Sequence, residues 1–182
     1  MPNSKTFQIK PINELIHKYA HGKIIDPFAN SNKLATVTND LDTQYDTDYH
    51  MDALDFLKMF EEESVDTVLY DPPYSPRQVS ECYKNLGQTV NMQTTQASYW
   101  SNQKEQIGRI VKPNGIVITC SWNSGGIGKK YGFEIEEILL VFSSITTLFG
   151  CSNTSINHFV YRLFHLSLNH YNRVIVPTTM RN

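Results

Sequence analysis

The chain has 182 residues, 40% of them hydrophobic, and a formal charge of −2, which suits one domain of ordinary size with a proper core and excludes a globally basic protein. Its densest apolar run, Ile138 to Phe142, is strand-sized and far short of a membrane-crossing segment. The three cysteines, Cys82, Cys120 and Cys151, are odd in number and widely spaced, the pattern of free thiols in a reducing compartment, and the six histidines show no metal spacing.

The opening stretch MPNSKTFQIK lacks an apolar signal core, which argues against export. Residues 13–20, NELIHKYA, read as a short helix with Leu15, Ile16 and Tyr19 on one face. GKIIDPF is a brief strand ending at an acid, and KLATVT, residues 33–38, is a second, followed by NDLD. A third short strand is expected near YH, ending at Asp52. ALDFLKMFEE has a helical period, and SVDTVLY, rich in β-formers, is a fourth strand. Residues 76–97 are polar and read as a mobile loop with some helix. ASYWSNQKEQIGRIV is a helix, expected to stop at the turn cluster Lys112-Pro113-Asn114-Gly115. GIVITCSW is a fifth strand, Gly125 to Lys130 a loop or short helix, and FEIEEILLVF a sixth strand.

Strands alternating with helices predict an α/β fold: a doubly wound, mostly parallel sheet with helices on both faces. Ligands of such sheets gather beyond the carboxyl ends of the strands. Asp26, Asp40, Asp52 and Asp71 each follow a candidate strand, so folding is expected to bring all four to one edge. Charge is unevenly spread: residues 40–71 hold eleven acids and one lysine, residues 75–134 seven basic residues and three acids. A nucleic-acid partner would use that positive side; on charge alone, two ordinary solvated surfaces are the favoured reading.

The strand SVDTVLY runs into Asp71-Pro72-Pro73-Tyr74-Ser75. Proline cannot donate to a sheet ladder, so the motif lies outside the strand and the acid sits where the strand stops. Asp71-Pro72-Pro73-Tyr74 is similar to the catalytic motif of amino-methyltransferases that use S-adenosylmethionine. With IIDPFANSN upstream, the chain resembles DNA N6-adenine methyltransferases, particularly small phage-type ones, over residues 7–142.

That resemblance implies a Rossmann-like class I methyltransferase and S-adenosylmethionine as cofactor. It implies that the Asp71 carboxylate and the Pro72 carbonyl accept the two N6 hydrogens of adenine, with Pro73 stiffening the backbone and Tyr74 offering a stacking face. On the cofactor side it implies Asp26 toward the amino group and Phe28 against the cofactor, although core packing explains Phe28 as well. Asn30 and Asn32 stand where the family has turn glycines; asparagine tolerates left-handed backbone better than other residues, so the turn is expected to survive. Asp40 would take the ribose hydroxyls, and Asp52 the adenine amine, with Ala53 leaving room for the ring. Ser75 to Ala97 would form the substrate loop, with Arg77 and Lys84 meeting phosphates or remaining solvated charges, and Trp122 and Asn123 at the site edge. Tyr99 and Trp100 read as core.

The implied partner is DNA, without membrane or metal, as a homodimer or with an accessory recognition partner, in the cytoplasm of a bacterial host. Related motifs leave RNA adenine, cytosine N4 and a glutamine side chain as alternative substrates, and a decayed binding protein as an alternative to an enzyme. Residues 1–142 are taken as the methyltransferase domain and residues 143–182 as an atypical tail, packed on it or disordered. From Ile138 onward there is no Asp, Glu or Lys. The C-terminal edge of the sheet is therefore expected to be incomplete or altered, with HFVYRLFHLSL open between helix and strand.

Overall fold

A computed structural model of the chain describes residues 6–87, 98–121, 126–143 and 160–169. Its helices are α1 (Lys10–Tyr19), α2 (Ala53–Lys58), α3 (Pro76–Asn85) and α4 (Ser98–Ile110). Its strands are β1 (Ile24–Asp26), β2 (Val37–Thr38), β3 (Val65–Tyr70), β4 (Val111–Ser121), β5 (Phe133–Ser143) and β6 (Val160–Asn169). The six form one sheet in the order β2-β1-β3-β4-β6-β5. β2, β1, β3 and β4 run parallel, and β6 runs antiparallel to both of its neighbours.

The period-two alternation of β3 and β4 sends side chains to two separate cores. Val68, Tyr70 and Val117 join Phe56 and Leu57 of α2 and Ile107 and Ile110 of α4 on one face. Leu69, Ile116, Ile118 and Cys120 join Ile12, Leu15 and Ile16 of α1 on the other. The sheet is thus wound on both sides, as the alternation of elements predicts.

Several boundaries differ from expectation for identifiable reasons. α1 begins at Lys10 rather than Asn13 because Pro11 falls in the first helical turn, where its missing N–H costs nothing. The third strand reduces to a single parallel bridge, Asn39 with Tyr49, and Asp52 is instead the N-cap of α2. The polar stretch after the proline pair contains a ten-residue helix, α3: Ser75 caps it by accepting from Gln78 N at 3.2 Å, and Pro76 takes the first position. The cluster Lys112-Pro113-Asn114-Gly115 does not separate helix from strand; it lies within β4, which follows α4 directly. There it forms an irregularity in which the register jumps from Val65–Val111 to Thr67–Ile116, with Asn114 at φ 63°.

The C-terminal side of the sheet is not left incomplete. Residues 160–169 of the tail form β6, which pairs with β4 from Ile116–Leu168 to Ser121–Leu163 and with β5 from Phe133–Asn169 to Ser143–Val160. β5 is left as the edge strand.

Candidate functional site

The carboxyl ends of β1, β2 and β3 open onto a cavity of about 460 Å³. Of the residues expected at a site, Phe28, Asn30, Asp40 and Asp52 line it, as do Ala53, Asp71 and Pro73. Asp26, Pro72, Tyr74, Arg77 and Lys84 are not among the lining residues. Trp122 and Asn123 lie outside the described residues, as do residues 88–97 of the expected substrate loop.

Asp26 ends β1 fully buried. Its Oδ1 accepts from Phe28 N at 3.0 Å and its Oδ2 from Asn32 Nδ2 at 2.9 Å. Burial pushes its carboxyl up to about 7, against those two hydrogen bonds and with help from the nearby charges of Asp71 and Asp40. Asp26 therefore acts on the cavity from beneath, by fixing the turn that carries Phe28. Asn32 does not adopt the left-handed backbone expected of a glycine substitute; its side chain holds Asp26 instead. Asn30 does adopt it, at φ 49°, and its N–H donates to Asp40 Oδ2 at 2.9 Å. Asp40 Oδ1 accepts from Asp42 N at 2.9 Å, and burial raises the Asp40 carboxyl despite both bonds.

Asp52 is engaged through both oxygens: Oδ1 accepts from Leu54 N at 2.8 Å, and Oδ2 accepts from the hydroxyl of Tyr83 on α3. Ala53 beside it is buried. Phe28 does two things at once. It lines the cavity and packs edge-to-face on Tyr70, with ring centroids 5.9 Å apart.

Asp71 follows the last residue of β3 and lines the cavity, and its Oδ1 accepts from the Tyr74 hydroxyl. The Tyr74 ring packs against the core on the α1 face of the sheet. The backbone between them is held by two side chains that the sequence did not single out as functional. Trp100 Nε1 donates to the Pro73 carbonyl at 2.8 Å, and Tyr74 N donates to Gln78 Oε1 at 2.7 Å. Arg77 points to Glu81, 2.8 Å away on its own helix, and Lys84 is exposed at the end of α3.

α3 supplies the opposite wall of the cavity through Gln78, Glu81, Cys82, Tyr83 and Asn85. The spacing of Val79 and Tyr83, both buried, is the helical signal that marks this wall. Behind it the Tyr70 hydroxyl donates to Oε1 of buried Gln103 at 2.7 Å, fixing α4 to β3. Five carboxylates line the cavity, those of Asp40, Asp42, Asp52, Asp71 and Glu81, and none of its described lining residues is Lys or Arg. Such a site favours a ligand carrying positive charge. Among the described residues no cluster of His, Cys, Asp and Glu fits a metal ion, and no helix is long and apolar enough to cross a membrane.

No protein-family model matches the sequence, and no curated protein matches it. In structure the chain is similar to a SAM-dependent methyltransferase from Archaeoglobus fulgidus, with a TM-score of 0.55 at 7% identity over 91% of this chain and 94% of that one. It is similar to TrmN from Thermus thermophilus, with a TM-score of 0.53 at 14% identity over 88% of this chain and 47% of that one. It is also similar to a SAM-dependent methyltransferase from Methanosarcina mazei, with a TM-score of 0.51 at 10% identity over 85% of this chain and 96% of that one. At these identities the likeness is one of fold: a Rossmann-like, doubly wound sheet of the class I methyltransferase type.

Proposed function

We propose that this chain is an S-adenosylmethionine-dependent amino-methyltransferase that methylates the exocyclic N6 amine of adenine in DNA. The observation that carries the reading is that Asp71, at the end of β3 and at the head of Asp71-Pro72-Pro73-Tyr74, lines the same cavity as Phe28, Asp40 and Asp52. A cavity of about 460 Å³ falls in the size range of small-molecule sites. Its five carboxylates suit a cofactor that carries both an ammonium and a sulfonium charge.

When bound, S-adenosylmethionine supplies a methyl group on a positively charged sulfur. Asp40 and Asp52 hold its nucleoside end, Ala53 leaves space for the ring, and Phe28 and Asn30 close the turn around its amino-acid end. Asp26 supports that turn from below. On the substrate side, the Asp71 carboxylate accepts one hydrogen of the amine and the Pro72 carbonyl the other. Together they localise a lone pair that adenine otherwise shares with its ring. The Tyr74 hydroxyl orients the Asp71 carboxylate, and only the ring face not packed on the α1-side core would receive the extruded base. The proton shed by the amine passes to Asp71. Aspartate at the head of the motif favours adenine over cytosine N4 or glutamine. Target selectivity falls to residues 75–97 or to a partner, or is low, and the slightly negative total charge makes DNA binding weak and strongly salt-dependent.

Incubation with methyl-labelled cofactor and separate DNA, RNA and protein acceptors tests the reading. Label on N6-methyladenine in DNA is expected. Label confined to RNA, cytosine or protein shifts the substrate, and absence of cofactor binding at millimolar concentration favours a decayed protein.

A further inference from the structure

One peptide group of the site is gripped along both edges. The Pro73 carbonyl accepts from Trp100 Nε1 at 2.8 Å, and the Tyr74 N–H, the other half of the same plane, donates to Gln78 Oε1 at 2.7 Å. The two grips come from different helices: Trp100 from the first turn of α4, Gln78 from the first turn of α3. Trp100 is itself braced. Its ring meets Tyr99 edge-to-face at 5.3 Å and packs on the cluster of Val79, Tyr83 and Tyr99.

The consequence reaches the neighbouring carbonyl. The orientation of one peptide plane relative to the next is set by the φ and ψ of the residue between them. Between the Pro72–Pro73 plane and the Pro73–Tyr74 plane that residue is Pro73, whose ring fixes φ near about −65°. Only ψ of Pro73 is left, and turning it carries the gripped plane away from Trp100 and Gln78.

We infer that Trp100 and Gln78 are positioning residues that jointly aim the Pro72 carbonyl at the reacting amine, an inference that rests on the reading of residues 71–74 given above. The grip also engages the Pro73 carbonyl inside the protein, so the motif presents its acceptors in one fixed order: the Asp71 carboxylate, then the Pro72 carbonyl. Asp71 carries charge and Tyr74 holds it; Trp100 and Gln78 carry geometry alone.

Trp100→Phe keeps the ring and its packing and removes the N–H, and Gln78→Leu removes the acceptor. Methyl transfer to adenine-containing DNA is expected to fall in kcat by about tenfold to a hundredfold in each variant. Cofactor affinity by calorimetry should stay within about twofold in Trp100→Phe, because Trp100 is not among the residues that line the cavity. The double variant should lose little beyond the weaker single one, because one free edge already releases the plane. Unchanged kcat in both single variants, or a kcat loss matched by an equal loss of cofactor affinity and melting temperature, overturns the proposal. If the unmodified chain transfers methyl to no amine, the functional reading fails and the grip is judged on its own. The chain has two tryptophans, so in Trp122→Phe the remaining indole proton belongs to Trp100. Slow solvent exchange of that proton supports the grip, and exchange as fast as in free tryptophan sinks it.

Discussion

The hydroxyl of Tyr83 donates to the carboxylate of Asp52, joining the last turn of α3 to the N-cap of α2 across the cavity. Burial first, then neighbouring Tyr99 and the bond to Asp52, hold the Tyr83 phenol well above its ordinary range, so the tyrosine stays a donor at any working pH. Tyr83→Phe keeps the ring in place and is expected to cost about 1.5–3 kcal/mol, the range for hydrogen bonds to charged groups. Urea unfolding measures the loss, and faster amide exchange along α3 would locate it. An unchanged exchange pattern in α3 would contradict the joining role.

Asp71→Ala removes the charged acceptor while leaving the Asp40 and Asp52 walls intact. Methyl transfer is expected to fall by at least about a hundredfold, with cofactor binding by calorimetry nearly unaltered. Methylation at the normal rate in this variant would refute the proposed chemistry.

Asp26 makes stability depend on pH in a direction opposite to that of most carboxylates. Its folded value is pushed from 3.8 up to about 7, so the folded state keeps a proton that the unfolded state releases. Its contribution is fully present below pH 3.8 and is lost as pH rises toward about 7. The size is on the order of a few kcal/mol. Denaturation midpoints between pH 4 and about 8 should therefore carry a falling component that Asp26→Asn removes, even though the variant is less stable overall.

Asn30 occupies left-handed backbone at φ 49°, where a side chain with a β-carbon is strained unless it bonds locally. Its Nδ2 does so, donating to the Phe28 carbonyl at 3.1 Å. Asn30→Gly is expected to be near neutral, and Asn30→Ala to cost about 1 kcal/mol and to weaken cofactor binding through the Asp40 contact. Equal stability of the two variants by thermal melting would show that the turn is not set by backbone preference.

Gly115 sits in the irregular part of β4, where an added β-carbon would lie 2.6 Å from Val111 Cγ1 and 2.8 Å from the Lys112 carbonyl. Both neighbours are parts of the same strand and cannot retreat. Gly115→Ala should destabilise the chain by about 1–3 kcal/mol with no direct effect on the cavity. Stability equal to the parent in chemical denaturation would contradict the close packing seen there.

Strand ends and motif spacing made much of this arrangement legible in sequence. The acids at Asp26, Asp40 and Asp71 converge because parallel strands must point the same way, a rule that needs no side-chain detail. Asp52 converges too, but through a helix cap rather than a strand, because its flanking residues make one bridge and no ladder. α3 was obscured by polar composition: its Ser75-Pro76 start is a helix signal, yet its Gln and Asn content resembles a loop. Gln78, Trp100 and Gln103 were not legible as site residues, and Asn32 was legible as a turn residue but not as the partner of Asp26. Trp100 and Gln103 bond a backbone carbonyl and a phenol far away in the chain, contacts that exist only once helices have packed, whereas Asn32 and Gln78 bond nearby groups through turn geometry that residue type alone does not reveal.

The position of β6 has a bearing on how the chain assembles during synthesis. β5 leaves the ribosome before β6, yet among the described residues its hydrogen-bonded neighbour in the sheet is β6 alone. The strand order therefore forces a late event: β4 gains its second neighbour, and β5 its place in the sheet, only once β6 has been made. Until then β4 presents a bare, strongly apolar margin to the cell, and a nascent chain paused at that stage is the form most exposed to aggregation and to chaperones.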